Sequence, residues 1–281
     1  MSVRILHDNY GKARVRLIKV DKRSARHELQ SLTLNIALEG DFEAVHLEGD
    51  NSLCLPTDTM KNTVYALAGE RDEIEPVETF GLRLARHFLD NGPQITRTVI
   101  DITEHAWDRM AFEGEPHDHS FVRGGREKRT AKISMTRDGT SVDSGVEDLV
   151  VLKSARSGFV GFIKDAYTTL PEVTDRILAT SIRATWTYRD ASLATDEVWH
   201  RVRRLILETF AGHDSLSVQH TLYAIGQAVL EEFEAVAEIA FSLPNIHCLP
   251  VDISRFGLED KNCIFIPTDE PHGLIEARLG R

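Results

Sequence analysis

Apolar and polar residues alternate near the start of the chain. Ala13, Val15 and Leu17 share one face of an extended segment, and Leu32, Leu34, Ile36 and Leu38 repeat the pattern. A period of two sends every apolar side chain to the same side of a pleated strand, so both segments are expected to be half-buried antiparallel strands. The period then lengthens. Met60, Val64, Leu67 and Ala68 recur at helical spacing behind Thr57 and Asp58, whose side chains are candidate N-caps. Phe80, Leu84 and Phe88 mark a second amphipathic helix, closed by the turn signal Asn91-Gly92-Pro93. Extended patterning returns at Thr98–Thr103 and at Ala131, Ile133 and Met135, and Arg137-Asp138-Gly139 is the expected link between two halves of the chain.

Beyond that link the same order recurs. Leu149–Lys153 and Ala184, Trp186, Tyr188 read as strands; Val198, Val202, Leu205, Ile206 and then Val218, Leu222, Ile225, Val229 read as helices. Ile239, Phe241, Leu243 and the C-terminal Ile275, Ala277, Leu279 return to alternation. Each half is two strands, two helices and two strands, an α+β architecture with antiparallel sheets, divided at 1–138 and 139–281. The polar stretch Glu113–Lys128, with two adjacent glycines, is expected to be the most mobile loop.

Charge changes the picture more than composition does. Of 281 residues, 42% are hydrophobic and 27% charged, enough for a core without disulfides or a structural metal. The formal net charge of −11 repels phosphate backbones and anionic bilayers, so neither nucleic acid nor membrane is an expected partner. The same field disfavours a small anion at long range, and any anion site must be built locally from a few cations or helix N-termini. Cys54, Cys248 and Cys263 form no C-x-x-C pair, which favours a reducing compartment. With no apolar run approaching ~20 residues and no apolar leader at the N-terminus, a cytoplasmic protein is expected.

Several common chemistries find no support. The chain lacks G-x-x-x-x-G-K-[ST], G-x-G-x-x-G, H-E-x-x-H and G-x-S-x-G, and it lacks H-x-E followed by C-x-x-C. His117-Asp118-His119 could supply metal ligands, but no third ligand stands near it in sequence and no metal site is expected. Arg201-Val202-Arg203-Arg204 reads as a solvated or salt-bridged helix face.

One set of residues stands out. Leu152-Lys153-Ser154, Phe159, Phe162, Asp165, Tyr167-Thr168-Thr169-Leu170 and Asp175-Arg176 resemble the signature of the urate oxidase family. Four further blocks match that family in order. They are Asn9-Tyr10-Gly11-Lys12; Thr57-Asp58-Thr59 with Lys61-Asn62-Thr63-Val64-Tyr65; Ser217-Val218-Gln219; and Leu243-Pro244-Asn245-Ile246-His247. Together they span nearly the whole chain, which makes the resemblance specific. Ala155, Met60 and Cys248 depart from what the family commonly shows, and Cys248 adjoins His247.

The resemblance implies tandem tunnelling-fold (T-fold) domains, with antiparallel sheets, helices on one face, and sheets of several subunits closing into a β-barrel. It implies a homotetramer with active sites shared between subunits. It also implies the reaction: urate, dioxygen and water give 5-hydroxyisourate and hydrogen peroxide, without metal or organic cofactor. Arg176 and Gln219 would then clamp the purine, the guanidinium forking onto an anionic oxygen and a ring nitrogen. Phe159 would stack on it, the backbone of Val218 would add a contact, and Thr57 with Asp58 would present helix N-terminal amides to it. Lys12 would be the catalytic base, with the Thr57 hydroxyl and His247 as a proton relay, and Asn245 would hold dioxygen or water above the ring. An ordinary lysine titrates near ~10.4, so that role calls for burial or nearby cations.

Without the resemblance the same residues read differently. Arg176 would pair with Asp175 or Glu172, Thr57 and Asp58 would cap a helix, and Phe159 would be core. Lys12 would be a solvated lysine and Pro244-Asn245 a turn. Two rival functions remain: a zinc enzyme of the same fold, which needs a His or Cys cluster, and an assembly subunit without chemistry. The C-terminal Leu279-Gly280-Arg281 lacks a peroxisomal S-K-L address, so a cytoplasmic, bacterial enzyme is the expectation.

Overall fold

The computed structural model describes residues 3–259, 261–268 and 270–281. The chain runs β1 (Tyr10–Asp21), β2 (Glu28–Gly40), α1 (Glu43–Leu47), α2 (Thr57–Gly69), α3 (Val77–Asn91), β3 (Ile95–Phe112) and β4 (Glu115–Thr136). It continues with β5 (Thr140–Lys153), β6 (Leu178–Tyr188), α4 (Asp196–Gly212), α5 (Val218–Glu232), β7 (Val236–Pro250), β8 (Phe265–Thr268) and β9 (Leu274–Gly280). Alternating segments became strands and helical stripes became helices. Among the described residues α1 and β8, five and four residues long, are too short to show a period, as are two single 3-10 turns at Ala191–Leu193 and Ser254–Phe256.

Two compact units divide these elements: Met1–Gly145 with Thr187–Trp199, and Val146–Trp186 with His200–Arg281. In the first, β1 to β4 pair antiparallel in sequence order. The register aligns Leu34 with Ile102 and Ala131, and Ile36 with Ile100 and Ile133, so the apolar faces form continuous rows. All six of these side chains are buried, as are Met60 and Val64 of α2 and Phe80, Leu84 and Phe88 of α3. Burying such a residue contributes about 1.5–3 kcal/mol. In the second unit β9 and β8 pair with successive parts of β7, aligning Ile239 with Leu279 and Leu243 with Ile275. Buried Leu222, Ile225 and Val229 of α5 complete its core.

The expected mobile loop is a correction. Only Glu113 and Gly114 turn, with φ of 54° and 87°, and β4 begins at Glu115. From there β4 pairs back onto β3, Arg109 opposite Phe121 and His105 opposite Lys128. Cross-strand contacts hold this ribbon: the Arg109 guanidinium lies 4.8 Å from the Phe121 ring centre and that of Arg123 5.5 Å from Trp107. A two-stranded ribbon solvated on both faces needs no apolar alternation, so its sequence resembles a loop.

One buried polar cluster fixes the first unit. Glu78, fully buried, accepts from Arg129 Nη2 at 2.6 Å and Ser144 Oγ at 2.5 Å. Arg129 also meets Asp196 at 2.7 Å and covers the Trp199 ring at 5.0 Å, while Trp199 Nε1 donates to the Gly145 carbonyl at 3.0 Å. Removing one member leaves a buried charge uncompensated. Arg129→Met should therefore destabilise the protein by about 3–5 kcal/mol in denaturant unfolding. Arg129→Met with Glu78→Gln should recover part of that loss, and an Arg129→Met change too small to resolve would contradict the burial argument.

Candidate active site

The first unit gathers its three expected residues at one end of β1. The Tyr10 hydroxyl accepts the Leu55 N–H at 2.9 Å, and its ring meets Phe42 edge-on at 4.7 Å. This bond ties the start of β1 to the segment leading into α2. Gly11 follows because a Cβ there would sit 1.7 Å from the Ile36 carbonyl oxygen. Lys12 pairs with Ile36, and the register then shifts before Val15, with Arg14 at φ 58° and its N–H on Asn35 Oδ1 at 2.9 Å.

Thr57 and Asp58 do not cap α2, which corrects that expectation. Pro56 is the N-cap and has no side-chain acceptor, so Thr57 and Asp58 are the first two helical residues and the amides of this turn stay open to an anion. The Asp58 carboxylate takes Lys61 Nζ at 2.5 Å and Asn62 Nδ2 at 3.0 Å. It is held below the usual carboxylate range chiefly by Lys61, with a smaller contribution from the Lys12 charge. Lys12 thus stands within electrostatic reach of the helix start. Tyr10 is pushed up to about 12, mainly by burial, against the lowering effect of the Leu55 N–H.

The second unit assembles its set on a backbone strap. Gly158 N–H donates to the Ser215 carbonyl at 2.8 Å and Ser215 N–H to the Arg156 carbonyl at 2.9 Å. On the strap's other edge Phe159 N–H donates to Val173 at 2.7 Å, and Arg176 N–H to Ser157 at 2.7 Å. A Cβ on Gly158 would stand 2.9 Å from the Thr174 carbonyl oxygen, so only glycine lets the strap lie this close. Phe159 stacks on Phe162 at 4.8 Å and 13°, and the Arg176 guanidinium sits 5.5 Å from the Phe159 ring centre. Phe159 is not plain core, because it is only half-buried and lies beside a cation and a second ring.

Arg176 pairs with neither neighbouring acid. Asp175 accepts the Ser157 N–H at 3.1 Å, and Glu172 pairs with Lys164 at 2.8 Å. Arg176 Nε is buried with no hydrogen-bond partner among the described residues, and burial lowers the pKa of the guanidinium. Next to the strap, Ser217 caps α5 by accepting the His220 N–H at 3.1 Å. Buried Val218 and exposed Gln219 are the first two residues of that helix, the positions that Thr57 and Asp58 occupy in α2.

Asn245 and His247 lie two apart in β7, with Asn245 Nδ2 3.4 Å from His247 Nδ1. Pro244-Asn245 is therefore not a turn: Pro244 stands opposite Leu274, its carbonyl takes the Thr180 hydroxyl at 2.8 Å, and Asn245 N–H donates to Gly273 at 2.8 Å. Among the described residues no three His, Cys, Asp or Glu side chains are grouped to hold a metal. Arg201 pairs with Glu232, as expected of a salt-bridged face. The motifs assigned no task to Tyr10 or Ser215; Tyr10 stood within the block Asn9-Tyr10-Gly11-Lys12, and Ser215 was marked only by its closeness in sequence to Val218.

Known proteins are similar to this chain in sequence and fold. The profile of a family described as Uricase matches residues 8–134 and 142–276. A uricase of Arthrobacter globiformis is 44% identical over 274 residues, covering 98% of this chain and 89% of that one. A Uricase-2 isozyme of Glycine max is 38% identical over 289 residues, covering 97% and 94%. The crystal structure of the Arthrobacter globiformis uricase superposes with a TM-score of 0.95, covering 100% of this chain and 96% of its own.

The Tyr10 phenol generates a pH prediction. An acid whose folded pKa is raised stabilises the fold fully below its unfolded pKa of 10.0, and that contribution disappears as pH rises toward about 12. Denaturant midpoints should fall more steeply across this window for the native protein than for Tyr10→Phe. Parallel falls would contradict the burial of this hydroxyl.

Proposed function

The chain belongs to the uricase family and is a urate-oxidising enzyme, and we propose that its chemistry runs through the residue sets of the two units. Arg176 and Gln219 clamp the purine, Phe159 stacks beneath it, and the backbone N–H of Val218 adds a contact. The open amides of Thr57 and Asp58 face the same anion from the other helix start. The observation that carries this reading is Arg176 itself, a half-buried guanidinium with no acid partner among the described residues, beside an aromatic face. A planar anion satisfies both at once.

Lys12 takes a proton from urate, and the Thr57 hydroxyl and His247 pass protons on. Asn245 holds dioxygen, and then water, above the ring. The electron-rich urate anion gives two electrons to dioxygen, which leaves as hydrogen peroxide, and water adds to the oxidised ring to give 5-hydroxyisourate. Oxidant and reductant are both substrates, so the reaction needs no cofactor; the protein orients, exchanges protons and excludes solvent.

Lys12, Thr57 and Asp58 belong to residues 1–138 and the remainder of the site to residues 139–281, which we take as tandem T-fold domains. The two sets meet across a subunit boundary in a homotetramer whose sheets close into a barrel. A cytoplasmic location agrees with three free cysteines and with the absence, among the described residues, of any helix long and apolar enough to cross a membrane.

Metal-stripped protein should bleach urate absorbance with equimolar peroxide release, and activity that returns only with added metal would refute the cofactor-free route. Arg176→Ala should weaken urate binding by about 2–5 kcal/mol, seen as a raised KM. Lys12→Met should instead lower kcat, because its role is proton transfer. Identical effects of both changes, confined to KM, would contradict this division of roles.

A further inference from the structure

Ser215 lies between the strap that carries Phe159 and the helix start that carries Val218 and Gln219. It is 2% exposed. Its backbone is committed to the strap on both sides, through the Arg156 carbonyl and the Gly158 N–H. Its hydroxyl is committed to the helix: Oγ donates to the Ser217 carbonyl at 3.0 Å and accepts from Thr221 Oγ1 at 2.7 Å. Thr221 is 1% exposed, and its own N–H donates to that same Ser217 carbonyl at 3.1 Å.

The backbone bonds would survive any small residue at this position. The hydroxyl is what makes serine necessary, since it links the strap-bound residue to both Ser217 and Thr221 of the helix start, and the pairing with Thr221 leaves neither of these two buried hydroxyls unsatisfied. The N-cap residue Ser217 is held from two directions, so the first amides of α5 keep a fixed place relative to Phe159. A clamp for a rigid planar ring needs that spacing fixed before the ring arrives, because disorder in the gap would be removed only at the expense of binding.

We propose that Ser215, locked by Thr221, is a positioning residue that sets the spacing between the Phe159 face and the Val218–Gln219 helix start, and thereby the fit of the purine. This rests on the assignment of Phe159, Arg176, Val218 and Gln219 to urate. It acts on binding more than on turnover, because it touches neither the substrate nor the proton relay.

The test separates the hydroxyl from the packing. Thr221→Val keeps the shape and removes the donor; Thr221→Ser keeps the donor and opens a small cavity. Steady-state kinetics and thermal unfolding are measured for both, with Ser215→Ala and Arg176→Ala alongside. The positioning role predicts that KM for urate rises about tenfold in Ser215→Ala and several-fold in Thr221→Val, with kcat within about threefold, following the loss of a satisfied buried hydrogen bond. Thr221→Ser should keep KM near that of the native enzyme even though its Tm falls further than that of Thr221→Val. A KM that follows Tm rather than the hydroxyl would overturn the proposal. So would a KM unmoved in Ser215→Ala and Thr221→Val while Arg176→Ala raises it, and in that case the urate site would stand. An Arg176→Ala enzyme with native KM would overturn the site reading and this proposal with it.

Discussion

The Arg176 N–H bonded to the Ser157 carbonyl at 2.7 Å is the contact on which the proposed substrate half-site rests. It holds the base of a side chain whose Nε is buried without a partner, an arrangement that costs free energy unless something returns the lost hydration. A flexible loop would relieve the cost by swinging the guanidinium into water. Here the strap is pinned on one edge by Val173 and on the other by Ser215, so it cannot swing. Asp175 and Glu172, the acids nearest in sequence, are occupied by the Ser157 amide and by Lys164. The guanidinium is thereby left without either neighbouring acid, which on the proposed reading keeps it for an anion from outside the unit.

That constraint resolves the apparent conflict between an acidic chain and an anionic substrate. A net charge of −11 acts through solvent and is screened within about 8–10 Å at ordinary ionic strength. On the proposed reading a desolvated guanidinium and two helix starts act at contact distance, where the effective dielectric is lower. Local geometry therefore outweighs the global field. Asp58 illustrates the point, because its carboxylate is turned to Lys61 and Asn62 while its amide remains in the open first turn of α2.

Much of the fold was legible because period and burial are physically linked. Leu32, Leu34, Ile36 and Leu38 alternate because one face of β2 covers the core, and Phe80, Leu84 and Phe88 recur because one stripe of α3 does. The β4 ribbon escaped that logic, since neither of its faces is covered by a core. The N-cap of α2 was misread because Thr57 and Asp58 are good caps by residue type, whereas Pro56, which presets φ near the value it adopts, took the position. Asn245 looked like a turn residue after proline, yet Pro244 is accommodated within a strand. The candidate site residues stood out only as dispersed blocks resembling one family. Tyr10 and Ser215, which join segments 45 residues apart or strap to helix, have no local signature, since their partners are chosen by the fold.

Each unit, on this reading, presents half of a site, Lys12 with Thr57 and Asp58 on one, and Phe159, Arg176, Gln219, Asn245 and His247 on the other, completed between copies of the chain. Reassembly of two inactive variants tests that central claim most directly. Thr57→Ala and Arg176→Ala chains are unfolded, mixed in equal amounts and refolded, and mixed assembly is verified by mass. Random assembly gives roughly one site in four with both native residues, so about a quarter of native activity should return. A mixture of verified mixed tetramers as inactive as its parents would contradict the claim, because sites built within one chain always carry a lesion.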